Sequence, residues 1–95
     1  MPTPYTFHAD PGHAWLEVPV TDVYELGLRL DDFSPYSYMH ANHVYLEEDC
    51  DAGVFLNMYR ERKGMNPAID EKWVDHDHPI RTYKRIHTSS AYRGK

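Results

Sequence analysis

The stretch YSYMHANHVYLEEDCDAGVFL, residues 36–56, decides how this chain folds. Successive side chains of a strand point to opposite sides, so its first half sorts into two faces about a turn at Ala41 and Asn42. Asn tolerates the left-handed backbone that tight hairpin turns require. A two-residue loop places His40 opposite His43, Tyr38 opposite Tyr45 and Tyr36 opposite Glu47, all on one face. Ser37, Met39, Val44 and Leu46 occupy the other face, which is the core side. Three tyrosines and two histidines are thereby expected on an exposed face. A slip of one residue would exchange the faces.

From Cys50 the period changes. Ala52, Phe55, Leu56 and Tyr59 recur at i, i+3, i+4 and i+7, the apolar stripe of a helix running about 50–63. Asp49 is placed to cap it, Asp51 lies in its first turn, and Glu47 and Glu48 stand just outside. Arg60, Arg62 and Lys63 close the far end before Gly64. Negative charge sits at the positive pole of the helix and positive charge at the negative pole. Helix formation therefore accounts for most of the acidity without any function.

Working outward, YTFHADPGHAWLEVP (5–19) reads as a hairpin: strands 5–8 and 13–18, with Asp-Pro-Gly turn chemistry at 9–12. Ala14, Leu16 and Val18 share one face, and His13, Trp15 and Glu17 the other. Pro19 stops the ladder. Thr21 is placed to cap a short helix carrying Asp22 and Glu25 in its first turn, with Val23, Leu26 and Leu30 at helical spacing, ended by DDFSP (31–35). Toward the other end, MNPAIDE (65–71) reads as a loop. KWVDHD (72–77) and IRTYKRIH (80–87) read as two strands beside His78-Pro79, or one strand bent there. The order hairpin, helix, hairpin, helix, strand predicts an α+β fold: a mainly antiparallel sheet with two helices on one face. A chain of 95 residues supports one modest core, so residues 1–88 are expected to form a single domain and 89–95 a flexible basic tail.

The net charge of −5 is unevenly spread: all 15 acids lie within residues 1–80, while Arg81, Lys84, Arg85, Arg93 and Lys95 supply half of the ten basic residues beyond them. That end is expected to settle on the acidic body of its own domain, or to hold phosphates while Tyr83, His87 and Tyr92 stack on bases of a nucleic acid. No run approaches the roughly 20 apolar residues of a membrane span, and the first residues lack the pattern of a signal peptide, so a cytoplasmic protein without membrane contact is expected. The single cysteine forms no internal disulfide.

Four candidate sites follow. Cys50 at a helix start with His13 on an early strand suggests a thiol nucleophile and its base, although the surrounding Glu47, Glu48, Asp49 and Asp51 disfavour the thiolate. His76 and His78, two residues apart in an extended segment, would point the same way as metal ligands, with Asp75 and Asp77 orienting them. A third ligand from His13, His87 or Glu47 is not identified by spacing, and no resident metal or other cofactor is expected. The basic end is the candidate nucleic-acid surface. Protein recognition draws on Tyr36, Tyr38 and Tyr45, flanked by His40 and His43, with Glu47, Glu48, Asp49 and Asp51 as an acidic patch. A homodimer through an open sheet edge is also compatible.

Two resemblances add to this. GHAWLEV (12–18) and DCDAGVFLNMYR (49–60) resemble, in their order of strand histidine and helix-start cysteine, circularly permuted papain-like hydrolases of the lecithin:retinol acyltransferase type. That implies a Cys-His hydrolase or transferase, with Cys50 as nucleophile and His13 as base. Asp49 stands where those acyltransferases are expected to carry asparagine. PGHAWLEVP (11–19), SPYSY (34–38), YLEEDCDAGVFL (45–56) and HDHPIRTY (76–83) resemble a group of small uncharacterised proteins carried by bacteriophages, plasmids and other mobile elements. The resemblance implies a bacterial cytoplasm and an accessory or anti-defence role, exercised by binding a host or phage macromolecule. Binding is the leading expectation and the thiol enzyme the alternative.

Overall fold

Alternation and turn chemistry produce the first ladder. In the computed structural model of the chain, which describes residues 4–87, β1 (Tyr5–Ala9) and β2 (Ala14–Pro19) pair antiparallel, with Thr6 opposite Glu17 and His8 opposite Trp15. The second hairpin joins β3 (Tyr38–His40) to β4 (His43–Glu47) in the expected register, Tyr38 against Tyr45 and His40 against His43. Ala41 and Asn42 take φ of 52° and 65°, the two left-handed residues of a type I′ loop. Tyr36 lies outside this ladder, and Glu47 instead opposes Trp15 where β4 pairs with β2.

The sheet is completed by two edges. β5 (Ile69–Trp73) runs parallel to β1, and β6 (Lys84–Arg85) antiparallel to β3, giving the order β5-β1-β2-β4-β3-β6. The loop expected at 65–71 is thus corrected: Ile69, Asp70 and Glu71 belong to β5. Only Ile69 turns a partly buried apolar side chain inward, and the charged residues that follow are exposed, as suits an edge strand. The strand expected at 72–77 shrinks to its first two residues, and that at 80–87 to Lys84–Arg85. Between them Pro79–Thr82 winds into a 3-10 turn with proline in its first turn, and His78 Nδ1 accepts the Ile80 N–H at 3.1 Å.

Two helices cover one face. α1 (Val20–Glu25) follows directly on Pro19 with no side-chain cap, so Thr21 does not open it, and the left-handed Gly27 (φ 82°) stops it before Leu30. Leu30–Asp32 is a separate 3-10 turn in which the Asp32 carboxylate accepts the Arg29 N–H. α2 (Ala52–Lys63) begins two residues later than its pattern predicts, with Asp51 rather than Asp49 at the cap and no acid in its first turn. The delay has a local cause. Glu47 Oε1 accepts the Asp49 and Cys50 N–H groups at 3.0 and 2.9 Å and holds 48–51 as a turn. Leu16, Val18, Val44 and Leu46 from the sheet pack against Val23 of α1, Leu26 just beyond its end, and Ala52 and Phe55 of α2. The fold is a small α+β structure with a mostly antiparallel six-stranded sheet and two helices.

The other face of the sheet is the main departure from expectation. Tyr38 and Tyr45 are only 8% and 7% exposed, because Ile80 and Tyr83 close over them and over Trp15 to form a second apolar cluster. The segment carrying Ile80 is fastened by Asp10. Its fully buried carboxylate accepts Arg81 Nε at 2.7 Å and Nη2 at 2.9 Å, the His78 N–H at 2.9 Å, and the Gly12 and His13 N–H groups at 2.9 Å. The Arg81 guanidinium first, and the three backbone N–H groups after it, hold this carboxyl far below the ordinary carboxylate range against the opposing effect of burial. No helix among the described residues is long and apolar enough to cross a membrane. The tail expected at 89–95 lies outside the described residues.

Two measurements check this frame. Asp51 accepts Ser34 N–H at 2.9 Å, Ser34 Oγ at 2.7 Å and the Ser37 hydroxyl, so Asp51→Ala strands buried donors and should lower unfolding free energy by about 2–4 kcal/mol in urea titrations. Asp51→Asn, which keeps one acceptor oxygen, should lose less. Asp10→Asn should lower the thermal midpoint by roughly 10 °C at neutral pH. A depressed folded pKa stabilises above the unfolded value, so the gap between wild type and variant should narrow as pH falls below about 4.

Candidate functional site

Four chain segments meet at the end of the sheet where β2 begins and β4 ends. β2 contributes Trp15 and the preceding turn His13; Glu47 closes β4, and the turn after it presents Asp49 and Cys50. Tyr36 and Tyr38 come from the start of β3 and the loop before it, Arg81 from the 3-10 turn and Arg85 from β6. Together they line an open cleft of about 310 Å³.

Its floor is aromatic and its cations are stacked. Trp15 and Tyr38 meet edge to face at 6.3 Å between ring centroids. The Arg81 guanidinium lies 5.4 Å from the Trp15 ring and that of Arg85 4.8 Å from the Tyr38 ring. Arg85 Nη1 donates to the Pro35 carbonyl at 2.8 Å. The rim is built by the serine-aspartate network: Ser34 Oγ accepts the Tyr36 N–H at 3.1 Å while donating to Asp51, and Ser37 Oγ donates to Asp51 while accepting the Glu47 N–H at 3.0 Å. The loop bearing Tyr36 is thereby held in place, with the Tyr36 side chain outside; the residue is 59% exposed.

The residues singled out from sequence divide clearly. His13, Tyr36, Tyr38, Glu47, Asp49 and Cys50 converge on the cleft. Glu48 is exposed beside it. Asp51 is buried beneath it, satisfied by serines, and Glu47 is buried with its Oε1 committed to two backbone amides, so the acidic patch at the surface reduces to Glu48 and Asp49. Tyr45 is elsewhere, packed on Tyr83 and His8, and burial followed by the nearby Glu17 charge pushes its phenol up to about 12. His76 Nδ1 lies 3.1 Å from the Asp77 carbonyl oxygen, and His78 Nδ1 is taken by Ile80. No group of three or more metal-ligating side chains is assembled among the described residues. Trp15 was not anticipated in the site, and Arg81 and Arg85, expected in a basic nucleic-acid surface or settled on the acidic body, line the cleft beside it. The pairing of a lone run of cations after residue 80 with an acidic body was the available signal for the arginines; nothing in the pattern joined Arg81 to Asp10.

One carboxylate touches both members of the candidate catalytic pair. Glu47 Oε2 is 3.8 Å from His13 Nδ1, and Glu47 Oε1 accepts the Cys50 backbone N–H at 2.9 Å. The thiol pKa is raised, first by desolvation of the sulfur, then by the neighbouring Glu47 carboxylate and by the charges of Asp51 and Asp49. A nucleophilic cysteine needs the reverse: a neighbouring cation or base that stabilises the thiolate. Of the charged side chains here, the ones nearest the sulfur are acids and the arginines are turned onto aromatic rings.

No family model matches the chain, and neither a curated protein nor a solved structure is significantly similar to it.

Alkylation of Cys50 followed across pH should therefore give an apparent pKa above the free-thiol value of about 8.5. Glu47→Gln, which removes the charge and weakens the acceptor, should move the midpoint down. A wild-type midpoint near neutrality would contradict the geometry.

Proposed function

We propose that the protein is a non-enzymatic binding module whose cleft and rim receive a protein partner. The observation that carries this reading is the acidic setting of Cys50: Glu47 lies 3.8 Å from His13, and desolvation, then the charges of Glu47, Asp51 and Asp49, raise the thiol pKa where a Cys-His enzyme requires it lowered. The surroundings suit recognition. An exposed tyrosine stands on a hydrogen-bonded loop, aromatic rings and stacked arginines line the cleft, and two exposed acids, Glu48 and Asp49, border it. Tyrosine and arginine dominate binding energy at protein interfaces, and a loop held in place before contact loses little entropy on binding. The acids favour a partner with a basic edge. The likeness of YLEEDCD and its companion segments to proteins of bacteriophages and plasmids supplies the setting: an accessory protein of a mobile element that engages a host or phage macromolecule, with interference in host defence as the role such a protein would serve. The nucleic-acid alternative is weakened by the engagement of Arg81 with Asp10 and of Arg85 with Pro35.

The test uses two surface variants. Tyr36→Ala and the double change Glu48→Lys with Asp49→Lys should each leave the thermal midpoint within a few degrees of wild type, since neither touches a buried partner. Each should weaken capture of the bacterial partner about tenfold or more. Capture undiminished by both changes would remove this cleft as the binding site.

A further inference from the structure

A larger concavity lies away from the cleft, at the end of the sheet that the helices leave uncovered, and wraps from the helix side onto the opposite face at Glu17 and His43. It encloses about 770 Å³ between α1, the end of α2, the starts of β1 and β4 and the loop leading into β5. It exists because α1 stops after six residues while α2 runs on to Lys63, so the helical layer is incomplete over the first residue of β1. Its walls are apolar and aromatic, with Tyr5, Leu26, Tyr59 and Met65 joined by prolines, and Met65 is 65% exposed. Tyr5 and Tyr59 meet edge to face at 6.1 Å. Asp22 and Glu25 open onto this surface from α1 and Glu17 from the opposite face of β2, where His43 Nε2 lies 3.8 Å from it; Lys63 is the lysine in the lining.

The charges sort further. Glu17 is occupied by His8 at 2.8 Å, whereas Asp22 accepts only the Tyr5 hydroxyl on one oxygen at 2.7 Å among its hydrogen bonds described here, and Glu25 is exposed on α1. The other cations at the end of α2 are exposed but engaged: Arg60 donates to Asn57 and Asn66, and Arg62 passes beside Gly27. Lys63 places its ammonium 5.6 Å from the Tyr59 ring centroid, so one wall of the groove already receives a cation on an aliphatic stem. A volume of this size matches pockets that bury a ligand of several side chains, and apolar walls with a few placed polar groups are the usual composition of such sites.

We infer that this groove docks an extended segment of a partner protein that carries a lysine or arginine between apolar residues. The cation lies between Asp22 and Glu25 and against the Tyr5 and Tyr59 rings, and the flanking apolar side chains cover Leu26 and Met65. Tyr5 is the reporter at the centre, since its hydroxyl is bonded to Asp22 and its ring contacts Tyr59.

The experiment is an NMR titration of the full chain with acetyl-Leu-Lys-Leu-Lys-Leu-amide, alongside the peptide with glutamate in place of lysine. Expected are shifts of Tyr5, Glu25, Tyr59 and Met65 resonances with the lysine peptide and none with the glutamate peptide. Glu25→Lys should weaken the lysine peptide tenfold or more, Lys63→Ala should tighten it several-fold by removing the internal competitor, and Tyr36→Ala should leave it unchanged. Equal response to both peptides, shifts centred on Tyr36 and Arg85 instead, or no shift at millimolar peptide would each overturn the assignment. Failure of this titration leaves the cleft variants to be judged separately, because the two surfaces share no lining residue.

Discussion

One buried carboxylate ties the first hairpin to the segment 78–81 near the other end of the described residues. Asp10 collects five N–H donors, two from Arg81, one from His78 and two from its own turn at Gly12 and His13, across separations of up to 71 residues. A carboxylate taken out of water is tolerable only when its lone pairs are filled and a cation faces it, and both conditions are met here. Through that contact the segment 78–83 is laid across the sheet. Ile80 and Tyr83 then have a surface to cover, and Trp15, Tyr38 and Tyr45 become a second core instead of an exposed aromatic face. The cleft inherits its form from the same contact, since Arg81 reaches the Trp15 ring while bonded to Asp10.

The acids of residues 47–51 show how one local composition serves several physical ends. Glu47 turns the chain by capping the amides of Asp49 and Cys50; Asp51 binds the serines of the loop that carries Tyr36; Glu48 and Asp49 face solvent. The helix macrodipole, which accounts for such a run in isolation, takes a smaller share than the hydrogen bonds do, because α2 begins only after the last of these acids. The same arrangement surrounds the lone sulfur with negative charge, which adds to desolvation in raising the thiol pKa.

Much of the architecture was legible. Period-two alternation in AWLEV and MHANHVYL, Asn42 at the turn, and the stripe of Ala52, Phe55, Leu56 and Tyr59 are local signals, and each appears in the fold with its core face as expected, while the opposite, tyrosine-bearing face is buried against expectation. The errors gather where a neighbour distant in sequence settles the matter. β5 hides its one apolar anchor among exposed charges and gains its identity only by pairing with β1. The boundary of α2 moved because Glu47 had a use for the amides of 49 and 50.

The amino-acid sequence by itself determined the α+β class, the register of the second hairpin, the core face of the sheet and the gathering of acids around Cys50, since these depend on side chains within a few residues of one another. Only the tertiary structure decided which tyrosines reach solvent, which carboxylates are interior acceptors, and that His13, Cys50 and Tyr36 share a cleft with Arg81 and Arg85. Those outcomes rest on hydrogen bonds and apolar contacts between residues far apart in the chain, whose partners no periodicity encodes.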